Sequence, residues 1–194
     1  MIEAAKTLRT ARDLLEELGY GHALVGGLAV SIRSEVRFTR DVDFAISVAS
    51  DEEAEQVVFA LSRRQYRPVT MVEHQSAGRL ATARLRSPEG ITVDLLFAST
   101  GIEPEIVKRA TIVDVPGLGD TNVARAEELL AMKILSMSAE RLQDRMDAQN
   151  LLLFNQDIHQ ESVRENLRLI TAREYHRGKN LLKLLEALVA ELSL

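Results

Sequence analysis

Apolar residues recur at helical spacing over residues 2–18, where Ala4, Leu8, Ala11, Leu15 and Leu18 share one face. Gly19 follows, in the place of a left-handed C-terminal cap. A short apolar run at 22–25 reads as a strand, Gly26-Gly27 breaks it, and 28–34 reads as a short helix. Residues 41–47 alternate polar and apolar positions and predict a second strand. Ser50 followed by Asp51, Glu52 and Glu53 has the form of an N-cap with acids in the first turn, so a helix is expected to about residue 64.

Strands are expected at 67–73, 80–85 and 91–97, the last two joined as a hairpin through Ser87-Pro88-Glu89-Gly90. Pro104 opens a short helix to about residue 109, and Pro116 to Gly119 turns between extended segments at 111–115 and 121–123. Beyond that point the pattern is wholly helical, with amphipathic segments at 126–137, 141–154, 161–174 and 179–192. The chain therefore reads as α/β (α+β), a mixed sheet flanked by helices and followed by a C-terminal helical bundle. The expected division is residues 1–123 and 124–194.

Composition narrows the function classes. A hydrophobic fraction of 46% and a charged fraction of 27% over 194 residues are those of a globular chain. With no cysteine there is no disulfide framework and no thiolate zinc site, and four scattered histidines show no ligand spacing, so any metal is expected on oxygen. No stretch is long and apolar enough to span a bilayer and the amino terminus is no basic leader, so no membrane partner and a cytoplasmic address are expected. The net charge of -5 argues against a protein that coats nucleic acid through a broad basic surface, yet it permits docking of one RNA end.

The informative stretch runs from Gly26-Gly27 through Arg37, Thr39, Arg40, Asp41 and Asp43. Glycines let a backbone approach phosphate oxygens, and amides at the start of the following helix direct donors toward an anion. On a strand, Asp41 and Asp43 project to one face while Val42 and Phe44 project to the other. Two acids on one face repel at neutral pH unless a cation lies between them or one is protonated, and oxygen-only ligation suits Mg²⁺. Asp94, in the apolar strand 91–97, is a third acid that would be expensive to bury alone. If its strand neighbours the first, the three acids converge and could hold metals for in-line displacement at a nucleotide phosphate.

Two glycines followed by Asp41-x-Asp43, with Asp94 on a later strand, resemble the signature of polymerase beta-like nucleotidyltransferases. The AbiEii-like branch is a closer resemblance: two glycines, a helix, then Arg-x-Thr-x-Asp-x-Asp, as in Arg37, Thr39, Asp41 and Asp43. Lys133, Arg141, Asp144 and Asp147 before Leu151-Leu152 are similar to a helical pattern of that branch. Two positions depart: Leu28 stands where the superfamily usually has serine, and Gln143 where the branch commonly has lysine.

The resemblance implies a nucleotidyltransferase fold and a Mg²⁺-dependent enzyme that moves a nucleoside monophosphate from a nucleoside triphosphate to an acceptor hydroxyl. Asp41, Asp43 and Asp94 would be the catalytic, metal-binding acids. Gly26, Gly27, Arg37, Thr39, Arg40, Lys133 and Asp144 would serve the nucleotide. A toxin of this branch implies a tRNA or protein acceptor and an antitoxin protein as partner. Transfer to a small molecule such as an aminoglycoside is the second enzyme reading. A noncatalytic nucleotide-binding module of the same fold is the rival that Leu28 and Gln143 motivate.

Overall fold

The computed structural model describes residues 2–39, 41–74 and 78–193, and its helices and strands follow the expected order. Helix α1 (Ile2–Glu17) ends where predicted, on Gly19 at φ +76, with the amide of Tyr20 closing onto the carbonyl of Leu15 at 3.2 Å. Leu8, Ala11 and Leu15 are buried as the periodicity requires, whereas Leu18, past the last turn, stays 39% exposed. Strand β1 (His22–Val25) runs directly into α2 (Gly26–Arg33). The paired glycines therefore form the first turn of α2 instead of a separate loop, because Gly26 at φ +65 reverses the chain in a single residue.

Strand β2 (Asp41–Ile46) leads to α3 (Asp51–Arg63), whose Ser50 hydroxyl accepts from the Glu53 amide while the Glu53 carboxylate accepts from the Ala49 amide. Then come β3 (Arg67–His74), β4 (Arg79–Arg86), β5 (Thr92–Leu96), α4 (Glu103–Arg109), β6 (Thr111–Val115) and β7 (Gly119–Val123). Among the described residues these strands form one seven-stranded mixed sheet in the order β3-β4-β5-β2-β1-β7-β6. The centre matters most for the site: β2 is antiparallel to β1 and parallel to β5, in a register that sets Asp43 beside Asp94.

Helices α5 (Ala126–Ser136), α6 (Leu142–Phe154), α7 (Gln160–Ala172) and α8 (Leu181–Leu192) follow. The pattern predicts four amphipathic helices, but α5 is enclosed on nearly every side, packed against α2, α6, α7 and α8. A helix apolar around its circumference belongs inside, and only the Lys133 position breaks the buried run from Ala126 to Leu135. One continuous core joins the sheet residues Phe44 and Leu95 to Leu129 and Leu130 of α5 and to Leu181, Leu185 and Leu188 of α8. Among the described residues no helix is long and apolar enough to cross a membrane.

Candidate active site

A cavity of about 620 Å³ opens between the central strands and the helices α5 and α6. Gly26, Gly27, Arg37, Thr39, Asp41, Asp43, Asp94, Lys133 and Asp144 all line it, although they are spread over much of the chain. Arg40 lies outside the described residues.

The three acids converge through sheet geometry. Val42 and Phe44 are fully buried, so alternation turns Asp41 and Asp43 to the opposite face. Parallel pairing of β2 and β5 places Asp94 next to Asp43. Burial, and then the neighbouring charge of Asp94, push the Asp43 carboxyl up to about 7, with Lys133 opposing.

Gly26 is required twice over. Its backbone sits in the left-handed region, and a Cβ there would meet the Asp43 carboxylate oxygen at 2.0 Å. Gly26→Ala should therefore displace Asp43 and lower turnover at least about 100-fold, since misplacing a reacting group by ~1 Å costs that much. The check is a steady-state assay beside a circular dichroism spectrum; a folded variant with unchanged kcat would contradict it. At Gly27 a Cβ would meet the Arg37 guanidinium at 2.7 Å and the Thr39 hydroxyl at 2.9 Å, so this glycine lets both side chains close over α2.

A second charged group forms the cavity's helical wall. Asp147, wholly buried, accepts from Arg37 Nε and Nη2 at 2.7 and 2.8 Å, from Lys133 Nζ at 2.8 Å and from Gln143 Nε2 at 2.9 Å. Burial alone would raise this carboxyl, but the bonds from Arg37 and Lys133 outweigh it and hold it below its ordinary value. Lys133 also reaches Asp144 at 2.8 Å, which Arg141 grips at 2.7 Å. The Lys133 ammonium is thus held between two buried acids instead of snorkelling to water, and the Asp144 and Asp147 carboxylates lie in the interior while the exposed Arg141 closes the network from the solvent side. Arg37, expected as a countercharge for phosphates, is already matched by Asp147 and ties the segment before β2 to α6.

Gln143 takes part in this network through its bond to Asp147, and Leu28 packs against the core. Asp147 belongs to the helical pattern that Lys133, Arg141 and Asp144 share, whereas Arg84 is a participant that no sequence pattern singles out. Arg84 of β4 stands opposite Asp94 and binds both its oxygens, at 2.8 and 2.7 Å. Counting the residues of the β4–β5 hairpin outward from its turn would have placed it there.

Among the described residues no three His, Cys, Asp or Glu side chains form a ready-made metal cage. The donor set nevertheless fits a hard cation. Asp41, Asp43, Asp94, Glu140 and Asp144 face Arg37, Arg84, Lys133 and Arg141 around the cavity, an excess of acid before Asp147 is counted. A polyphosphate entering such a site needs added positive charge, and oxygen-only ligands suit Mg²⁺ or a similar ion.

Solved structures of related shape carry the same architecture. An antigenic nucleotidyltransferase-like protein from Paracoccidioides brasiliensis aligns with a TM-score of 0.52 at 21% identity, covering 95% of this chain and 93% of its own. The antibiotic-resistance factor ANT(2'')-Ia aligns with a TM-score of 0.54 at 11% identity, covering 88% and 92%. At these identities the likeness establishes the fold. No curated protein matches the chain. The family model described as the nucleotidyl transferase AbiEii toxin of type IV toxin–antitoxin systems matches residues 12–193, and the chain belongs to that nucleotidyltransferase family.

Proposed function

We propose that this protein is a Mg²⁺-dependent enzyme that transfers a nucleoside monophosphate from a nucleoside triphosphate to an acceptor hydroxyl and releases pyrophosphate. The observation that carries this reading is the meeting of Asp41, Asp43 and Asp94 beside the Gly26-Gly27 turn in one cavity. Asp41 and Asp43 would hold the metal, with Asp94 sharing it. The ion would supply charge neutralisation at the nucleotide phosphates and lower the pKa of the attacking hydroxyl.

The chain's own residues then have distinct roles. The α2 amides behind Gly26 and Gly27 face the phosphates. Thr39 closes that turn, Lys133 provides a cation fixed by Asp144 and Asp147, Arg37 ties the segment before Asp41 to α6, and Arg40 would offset the triphosphate charge. Asp94 would take the proton of the acceptor hydroxyl. In this reading residues 1–123 hold the acids and residues 124–194 supply the opposing wall.

The acceptor we favour is the end of an RNA such as tRNA, with an antitoxin protein as the toxin's partner. The support for this acceptor is the family match to a toxin of type IV toxin–antitoxin systems. The active-site cavity itself carries more acid than base, so the cation offered to an RNA backbone is Arg177, exposed on the neighbouring cavity.

The test is incorporation of labelled nucleotides into total RNA and into an aminoglycoside panel, with Mg²⁺ and with chelator, beside calorimetry of nucleotide binding. Chelator-sensitive RNA labelling is expected. It should fall steeply with salt, because phosphate contacts release counterions, and Arg177→Ala should flatten that dependence by about one unit of slope. Nucleotide binding without incorporation would leave the noncatalytic module as the reading, and labelling of the drug alone would overturn the RNA acceptor.

A further inference from the structure

Arg84 belongs to two cavities. It lines the active site, and it also lines a neighbouring cavity of about 720 Å³ whose wall includes Glu73 and Glu174. Its side chain is 51% exposed, against 10% for the Asp94 carboxylate that it grips through two hydrogen bonds. Asp41 and Asp43 add to the negative field around it. A guanidinium fixed on one acid and within the field of two more supplies the charge that would otherwise be missing from three converging carboxylates.

We infer that Arg84 is an internal counter-cation: it holds the charge position of a divalent ion at Asp94 and turns into the neighbouring cavity, toward Glu73 and Glu174, when such an ion binds. The inference rests on the metal-binding reading of Asp41, Asp43 and Asp94. A divalent ion and a guanidinium repel each other, and both Asp94 oxygens are committed to Arg84. A long, half-exposed side chain with open space and two acids behind it can yield at small cost. A guanidinium serving only as a cross-strand partner would have no need of that second space.

Mn²⁺ alone, titrated into the metal-free full chain by calorimetry, tests this without any turnover. Arg84→Ala and Arg84→Gln should bind Mn²⁺ about tenfold more tightly than the wild type, since a competing unit charge is gone, and Arg84→Lys should stay near the wild type. The pair Glu73→Gln and Glu174→Gln should weaken Mn²⁺ binding severalfold in the wild type and leave the Arg84→Ala protein unchanged. Equal or weaker binding by both neutral variants at position 84 would overturn the inference. So would an unchanged affinity on removal of the two glutamates. If Asp43→Asn binds Mn²⁺ as the wild type does, or if neither the wild type nor Arg84→Ala binds it, the metal reading itself falls. Loss confined to Asp43→Asn with unaltered Arg84 variants defeats the counter-cation alone.

Discussion

Asp43→Asn is expected to abolish nucleotidyl transfer and, in the same protein, to raise the thermal stability of the metal-free state. The loss follows from removing a ligand of the ion that offsets transition-state charge, several kcal/mol or about 10³-fold and more in rate. The gain follows from linkage. In the fold the carboxyl is pushed up to about 7, through burial and then the charge of Asp94. Between about pH 4 and pH 7 the folded chain therefore binds a proton that the unfolded chain has lost. Stability contributed by this group falls as pH rises across that window and levels off above it, a penalty of up to roughly 4 kcal/mol at pH 8. Asparagine carries no such penalty. Unfolding midpoints of chelator-treated protein from pH 5 to pH 8 should show the variant gaining on the wild type as pH rises. Parallel pH profiles for the two proteins would contradict the placement of Asp43.

Asp147→Ala should be the most destabilising single change on the opposing wall. The substitution strips a wholly buried carboxylate from Arg37, Lys133 and Gln143. It leaves two largely enclosed cations short of a partner, and breaking a buried ion network in this way costs about 3–5 kcal/mol. For a chain of this size that corresponds to a fall of roughly 10 °C in the unfolding midpoint. Replacing Arg37 and Asp147 together by Met and Leu should recover much of the loss, because removing both partners leaves less uncompensated charge behind. A single variant within about 1 kcal/mol of the wild type would mean that the network is far more solvated than its burial implies.

The parts of this protein legible in its residues are those governed by local periodicity. Alternation around Val42 and Phe44 correctly sent Asp41 and Asp43 to one face, and the apolar strand around Asp94 correctly asked for a neighbour that could partner its charge. Helix ends at Gly19 and Ser50 follow from cap chemistry alone. What escaped is the pairing of charges far apart in sequence. Asp144 and Asp147 stand out through a family pattern, but their burial, and that of Glu127 and Glu128, becomes visible only once partners such as Arg37, Lys133 and Arg109 arrive from other elements. No hydropathy pattern encodes that arrival.

The strands carry the same lesson. Strand β3 has the apolar residues Val69, Met71 and Val72, which suggest burial, but it forms a sheet edge and stays exposed along most of its length. Arg84 differs from the helical cases in being recoverable: the hairpin around Ser87 to Gly90 fixes its register, and the register fixes its partner Asp94.

The central claim is that Asp41, Asp43 and Asp94 form one divalent-cation site. Anomalous scattering from crystals of the protein grown with Mn²⁺ tests it most directly. The account predicts a peak bound to the carboxylates of Asp41 and Asp43, on the side facing Asp94, that disappears in Asp43→Asn. A Mn²⁺ peak elsewhere with none among these three residues, or a peak that persists in that variant, would contradict it.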